Sequence, residues 1–269
     1  MSLALWLTGA ASAAVLGASA RWNWWRPRAE GLPILMYHKI GTPPPDSRLK
    51  KLWVSTDMFR RQMEWLKTHR WEPVTLRQVA EKQDRGDPLS PRAVVISFDD
   101  GYLNNYQNAF PVLRDYGYPA VVFLVVQAVG WENFWHDPAT ESRLPMMSWK
   151  NAEEMQSAGV EFGSHTMTHP RLTGIESKQV VEELGKSRRI ITEFLGREPV
   201  TFAYPYGNGQ DDEKVRRLVR DAGYRWACSV HQGKSVPTEE PYCLHRIFVR
   251  GDDSLFDFHL NMTRGRARL

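Results

Sequence analysis

Short apolar, β-branched runs punctuate this chain, each ending at Gly, Asp or Pro, and stretches of helical period lie between them. Residues 32–37, 71–75, 93–96, 120–126, 160–163, 200–204, 224–229 and 244–249 read as buried strands. Residues 56–69 place Phe59, Met63 and Leu66 on one face and Arg60, Arg61 and Lys67 outside, which predicts an amphipathic helix capped by Thr56. Thr75 and Gln78 have capping-box spacing into a short second helix. Further helices are expected over 104–116, broken or restarted at Pro111, and over 148–158, 177–195, 213–222 and 254–262. Strand and helix alternate about seven times, and the strands are apolar on both faces. That argues an α/β fold with a parallel sheet covered on both sides, either closed as a barrel or doubly wound. Two long connections remain, a Pro-rich basic one over 42–51 and one over 127–145 carrying Trp131, Phe134, Trp135 and His136.

At 269 residues one large domain accounts for the chain, and 42% hydrophobic with 25% charged residues excludes disorder beyond the termini. Net charge is +4, but three Arg and one Glu fall in residues 1–30, leaving 32 basic against 30 acidic residues. So balanced a surface gives no nucleic-acid footprint. The basic tail over 263–269 reads as a solvated terminus. Residues 3–20 carry no charge, Ala18-Ser19-Ala20 resembles a cleavage site, and Arg21, Arg26 and Arg28 follow, interleaved with Trp22, Trp24 and Trp25. Residues 1–30 are therefore expected to be an export signal or a retained anchor, with membrane association through residues 3–25 and the domain in the cell envelope, its side open. The two cysteines, Cys228 and Cys243, exclude an all-thiolate metal site, and their pairing is open. Gly207-Asn208-Gly209 lacks the spacing and the Lys of a phosphate loop, which excludes a nucleotide site of that kind.

The chemistry gathers where strands stop. Asp99-Asp100-Gly101 ends one strand, and by itself the triplet is equally a turn. His165-x-x-x-His169 follows another, without the Glu of H-E-x-x-H proteases. Asp100, His165 and His169 together make a two-His, one-carboxylate set at strand C-terminal ends, where barrel enzymes collect catalytic groups. Three protein ligands leave a position open for water, although oxygenases with Fe(II) use such a set too. Asp99 then stands free to take a proton. The turn Tyr204-Pro205-Tyr206-Gly207 offers a backbone N–H for an oxyanion and rings for a sugar or acyl pocket.

Phe98-Asp99-Asp100-Gly101, His165-Thr166-x-x-His169 and Phe202-Ala203-Tyr204-Pro205-Tyr206-Gly207, in this order, resemble the first three motifs of the polysaccharide deacetylases, carbohydrate esterase family 4. The resemblance runs over about residues 32–250, within a domain drawn at 31–262. It implies a single distorted (β/α)7 barrel, a divalent metal, commonly zinc, and hydrolysis of N-acetyl groups on an amino-sugar glycan or glycolipid. By position it makes Asp99 the general base, Asp100, His165 and His169 the metal ligands, and the Tyr206 N–H an oxyanion donor. Two positions depart from it: Ala203 stands where most of the family has Arg, and the late strand reads Leu244-His245-Arg246 instead of supplying a His. Leu35-Met36-Tyr37-His38 is similar to the opening of a circularly rearranged branch acting on poly-N-acetylglucosamine, which implies His38 as general acid and leaves Arg246 for the missing Arg. Tyr37, Tyr204, Pro205 and Trp135 are the expected substrate contacts. A same-fold hydrolase of a non-sugar amide and an inactive glycan-binding domain are the alternatives.

Overall fold

The structure, a computed structural model, describes residues 24–139 and 141–268 and positions 17, 19, 21 and 22. The strands are β1 (Ile34–Tyr37), β2 (Lys39–Ile40), β3 (Trp53–Val54), β4 (Glu72–Pro73), β5 (Ala93–Phe98), β6 (Val121–Leu124), β7 (Glu161–Ser164), β8 (Thr201–Ala203), β9 (Trp226–Gln232) and β10 (Leu244–Phe248). The helices are α1 (Thr56–Thr68), α2 (Leu76–Arg85), α3 (Phe110–Tyr116), α4 (Trp149–Ser157), α5 (Ser177–Leu195), α6 (Glu213–Asp221) and α7 (Leu255–Arg264). Seven strands pair in the order β1-β10-β9-β8-β7-β6-β5, and β1 pairs again with β5, closing a parallel ring. The fold is thus the (β/α)7 barrel, and closure removes the doubly wound alternative.

Strand alternation decides what faces where. Ile34, Val95, Val121, Phe123, Ala203, Cys228 and Leu244 form one buried cluster with Leu76, Val79 and Ala80 of α2. These strand residues fill the barrel, and α2 plugs its lower end. The alternate residues Leu35, Tyr37, Val94, Ile96, Phe98, Val122 and Leu124 pack outward with Phe59, Met63 and Leu66 of α1. Each side chain so buried contributes about 1.5–3 kcal/mol relative to exposure. Continuing the inward parity to the upper rim gives His38 after β1, Asp99 after β5, His165 after β7 and Arg246 in β10.

Local chemistry moves several expected boundaries. Ser55, not Thr56, caps α1, its Oγ accepting from Met58 N at 3.1 Å. The expected helix over 104–116 is a π turn, Asn105–Ala109, running into α3, because Pro111 has no N–H to continue an i→i−4 ladder. The Pro-rich connection runs between two unexpected strands, β2 and β3, paired Lys39↔Trp53 and Ile40↔Val54; strands of two residues carry no readable period. The basic tail is not merely solvated. Arg268 reaches Asp252, Asp253 and Asp257 at 2.9–3.3 Å, and Ala267 is buried. Apart from positions 17 and 19, the expected signal or anchor over 3–20 lies outside the described residues. Among those described, no helix is long and apolar enough to cross a membrane.

Gly163 of β7 sits inside the barrel, where an added Cβ would lie 2.7 Å from Phe123 Cδ1 and against Thr201 Oγ1. Gly163→Ala is expected to destabilise the protein by about 1–3 kcal/mol, read as a lowered denaturant midpoint. An unchanged midpoint contradicts the interior packing described.

Candidate active site

Three donors meet at the top of the barrel. His165 Nε2 lies 3.5 Å from Asp100 Oδ1, His169 Nε2 lies 3.4 Å from the same oxygen, and the two Nε2 atoms are 3.2 Å apart. A tetrahedral ion with bonds of about 2.0–2.1 Å has ligand edges of about 3.3 Å, so this triangle fits one ion. His165 Nδ1 sits 2.8 Å from the Ala203 carbonyl, which requires N–H there and leaves Nε2 as the bare lone pair. All three residues are buried. Burial, then the charge of Asp99, raises the Asp100 carboxyl to about 7, while burial lowers both imidazoles. An arrangement that disfavours an anion yet holds two neutral imidazoles fits a cation, which would stabilise the ligating forms of all three.

The backbone is bent to make this convergence. Asp100, Thr166, His169 and Tyr206 have φ of +75°, +70°, +61° and +56°. Among the described residues only Arg70 joins them as a non-glycine with positive φ. Such residues cost about 1–3 kcal/mol each and cluster at functional sites. Glu183 of α5 holds the histidine turn, accepting from Met167 N at 2.8 Å, Thr168 N at 2.9 Å and Thr168 Oγ1 at 2.7 Å.

Beside the triangle, Arg246 grips Asp99 with two parallel bonds, Nη1 to Oδ1 at 2.6 Å and Nη2 to Oδ2 at 2.7 Å, and donates Nε to the Ser229 carbonyl at 2.8 Å. Neither residue is solvated. Burial alone would raise the Asp99 carboxyl, but the guanidinium overrides it and holds Asp99 at about 2. The Arg that Ala203 does not supply thus arrives from β10, two strands away around the barrel. His38 Nε2 stands 4.0 Å from Asp99 Oδ2, and burial lowers its pKa to about 4. His38 Nδ1 and Trp135 Nε1 are buried without a hydrogen-bond partner among the described residues. Buried orphans of this kind mark places where water or a ligand belongs.

The rim is aromatic. The Tyr206 ring meets His169 edge-on at 4.4 Å and lies under the Arg171 guanidinium at 4.7 Å; Trp135 packs against the same imidazole at 4.8 Å, and its carbonyl accepts from the Tyr206 hydroxyl at 3.4 Å. Three expected substrate contacts fall elsewhere. Tyr37 has the outward parity of β1, and its hydroxyl donates to Gln62 Oε1 at 2.8 Å in the core. Tyr204 likewise points outward, donating to the Tyr242 carbonyl at 2.9 Å. Pro205 is buried and sets the φ of the turn. His245 also faces outward, as its parity requires.

Sequence reasoning missed the groups behind Asp100. Tyr102 donates its hydroxyl to that carboxylate and lies 3.4 Å from His136 Nε2. Lys39, fully buried, lies 4.8 Å over the Tyr102 ring and 3.4 Å from Glu141 Oε1. Glu141 also accepts from Ser47 Oγ and from the N–H groups of Arg48 and Leu49, tying the basic connection to the aromatic one. Tyr102 was findable as the residue after Gly101; a contact between two irregular loops leaves no periodic trace.

The Polysaccharide deacetylase family model matches residues 86–227. A poly-beta-1,6-N-acetyl-D-glucosamine N-deacetylase of Staphylococcus aureus is 30% identical over 213 residues, spanning 76% of this chain and 70% of that protein. A solved polysaccharide deacetylase of Bacillus cereus shares 26% identity with a TM-score of 0.71, covering 87% of this chain and 69% of that one. A Streptococcus pyogenes deacetylase solved in complex with acetate superposes with a TM-score of 0.74 at 20% identity, over 87% of this chain and 99% of that one, a likeness of fold.

In the intact protein the depressed Asp99 pKa gives stability that is present above the ordinary carboxyl value and lost as pH falls toward about 2. Arg246→Met removes the partner of a buried charge and is expected to cost about 3–5 kcal/mol at neutral pH. Burial then raises the Asp99 pKa, so its contribution changes sign and the variant gains stability as pH falls from that raised value down to the ordinary carboxyl one. Denaturant unfolding across pH checks this, and an unchanged acid limb contradicts the pairing.

Proposed function

This chain belongs to the polysaccharide deacetylase family, and we propose that it removes N-acetyl groups from a poly-N-acetylglucosamine-type glycan or glycolipid by metal-dependent hydrolysis, releasing acetate. The observation that carries this reading is the Asp100, His165, His169 triangle set against an Asp99 that Arg246 keeps anionic. Zinc is the ion proposed, because two imidazoles and one carboxylate at tetrahedral spacing match its preference. When bound, it would polarise the acetamide carbonyl and acidify a water.

The protein's own groups divide the proton work. Asp99, ionised, receives the proton of the attacking water; the Arg246 fork fixes which oxygens face the site and leaves them their remaining lone pairs. His38 protonates the departing amine, which leaves poorly as an anion. The pKa order supports a relay: a proton taken up at about 2 moves downhill to an imidazole at about 4, across the 4.0 Å gap or one water, and then to the more basic amine. The Tyr206 N–H is proposed to donate to the developing oxyanion. The Tyr206 and Trp135 rings, with exposed Trp131 and Phe134 beyond, offer apolar faces to pyranose rings.

A cell-envelope location is proposed with this substrate. It is supported by the charge-free stretch of residues 3–20 and by exposed Trp24 and Trp25, the latter under the Arg26 guanidinium at 5.6 Å, a pairing suited to a membrane interface.

Acetate release from β-1,6-linked N-acetylglucosamine oligomers is expected, abolished by a chelator and restored by zinc. Asp99→Asn should keep its metal and lose about 10²–10⁴-fold in kcat. Metal retention with full activity refutes the base assignment, and no release from any N-acetylglucosamine oligomer refutes the substrate class. His38→Ala should lose about 10²–10⁴-fold on the amide but little on an activated aryl acetate, whose leaving group needs no proton. An equal loss on both substrates contradicts the acid role.

A further inference from the structure

A second set of soft donors lies outside the barrel on β9 and β10. Among the described residues no helix joins these two strands, and on their outer side His231 and His245 stay half-buried between the packed Ala227 and Ile247. Leu244 points into the barrel, and the flanking Cys243 and His245 therefore project outward. The register pairs Arg246 with Gln232, which brings His231 alongside His245; their ring centroids are 5.4 Å apart, against 4.8 Å for His165 and His169 in the active site. Gly233 makes room for this pair, since a Cβ there would lie 3.2 Å from His245 Nδ1.

Two carboxylates bracket the imidazoles. Asp211 Oδ1 is 2.8 Å from His231 Nε2, and Glu240 Oε2 is 3.6 Å from His245 Nε2. The donor atoms of Asp211, His231 and Cys243 lie within 4.8 Å of one another, as do those of Glu240, Cys243 and His245. The Cys243 thiol is common to both sets, so an ion held by it finds its other donors on one side in Asp211 and His231 and on the other in Glu240 and His245.

We propose that Cys243, His231 and Asp211 form a second cation site that takes a late first-row divalent ion, zinc above all, with His245 and Glu240 as the other donors within reach of the same thiol. One thiolate, one imidazole and one carboxylate suit zinc, which takes sulfur, nitrogen and oxygen donors, whereas a calcium or magnesium site is built from oxygen. Strand β9 carries His231, Cys243 stands just before β10, and the Asp211 carboxylate comes from the loop after the Tyr206 turn. Burial raises the Cys243 thiol pKa, so ion uptake there releases a proton. Asp211 follows Gln210, whose Oε1 accepts from Val230 N at 2.8 Å, and both residues lie in the connection that begins with the Tyr206 turn. Occupancy therefore clamps the 233–243 connection and the loop below Tyr206 to the same two strands, without touching the reacting groups.

The test is stoichiometry in metal-stripped, reduced full-length protein, with zinc and cobalt alone as probes. Wild type is expected to take two equivalents of zinc, and its cobalt form to show a thiolate-to-metal charge-transfer band in the near ultraviolet. Cys243→Ser is expected to remove the band. His231→Ala/His245→Ala, two partly exposed positions that need no core repacking, should bind one equivalent and keep deacetylation unchanged. Conversely, His165→Ala/His169→Ala should keep the band with one equivalent and no turnover, which separates this site from the catalytic one. A wild type without the thiolate band, whether it takes one equivalent or two, overturns the proposal whatever the activity assays give.

Discussion

Arg246 and Asp99 form the contact on which the barrel's upper end depends. A carboxylate wholly removed from water is stable only with its charge answered at hydrogen-bond distance, and the guanidinium answers it with two bonds of 2.6 and 2.7 Å. That pairing spans strands β10 and β5, which lie on either side of β1 in the ring. It therefore stitches the closure of the barrel as well as the site, and His38 at the end of β1 sits between its two ends. The same bond that keeps Asp99 ionised thus orders the strand bearing His38.

Around this pair the site is assembled by parity. His38, Asp99, His165 and Arg246 all continue the inward series of their strands, so four groups distant in sequence arrive on one rim without dedicated loops. Asp100 and His169 do not follow that rule. They reach the centre through left-handed turns, with φ of +75° and +61°, that reverse the direction of the side chain just past a strand or a loop bend.

The fold was legible because strands apolar on both faces alternate with amphipathic helices, and the motif residues stood at the strand ends. Closure was not legible from pattern: it depends on the β1–β5 pairing, which no local signal carries. The exchange of Ala203 for Arg246 was readable only as a missing charge needing a donor. Tyr37 and Tyr204 were misassigned for a physical reason, since each lies one residue from an inward position and strand geometry turns it to the helix shell. The Lys39, Glu141 and Tyr102 assembly was invisible because it joins two irregular connections whose proximity is purely tertiary.

The four left-handed residues have a consequence for how such a site fills. The turns at Asp100 and at the two histidines, and the His165 ring beside them, are held by neighbours that have nothing to do with an ion: Tyr102 behind Asp100, Glu183 under the histidine turn, the Ala203 carbonyl on His165. The donors are consequently in place before any ion arrives, and binding need not recruit a loop or order a chain. Under the proposed metal dependence, loading then becomes a matter of desolvating the ion at a ready-made site rather than of folding around a guest.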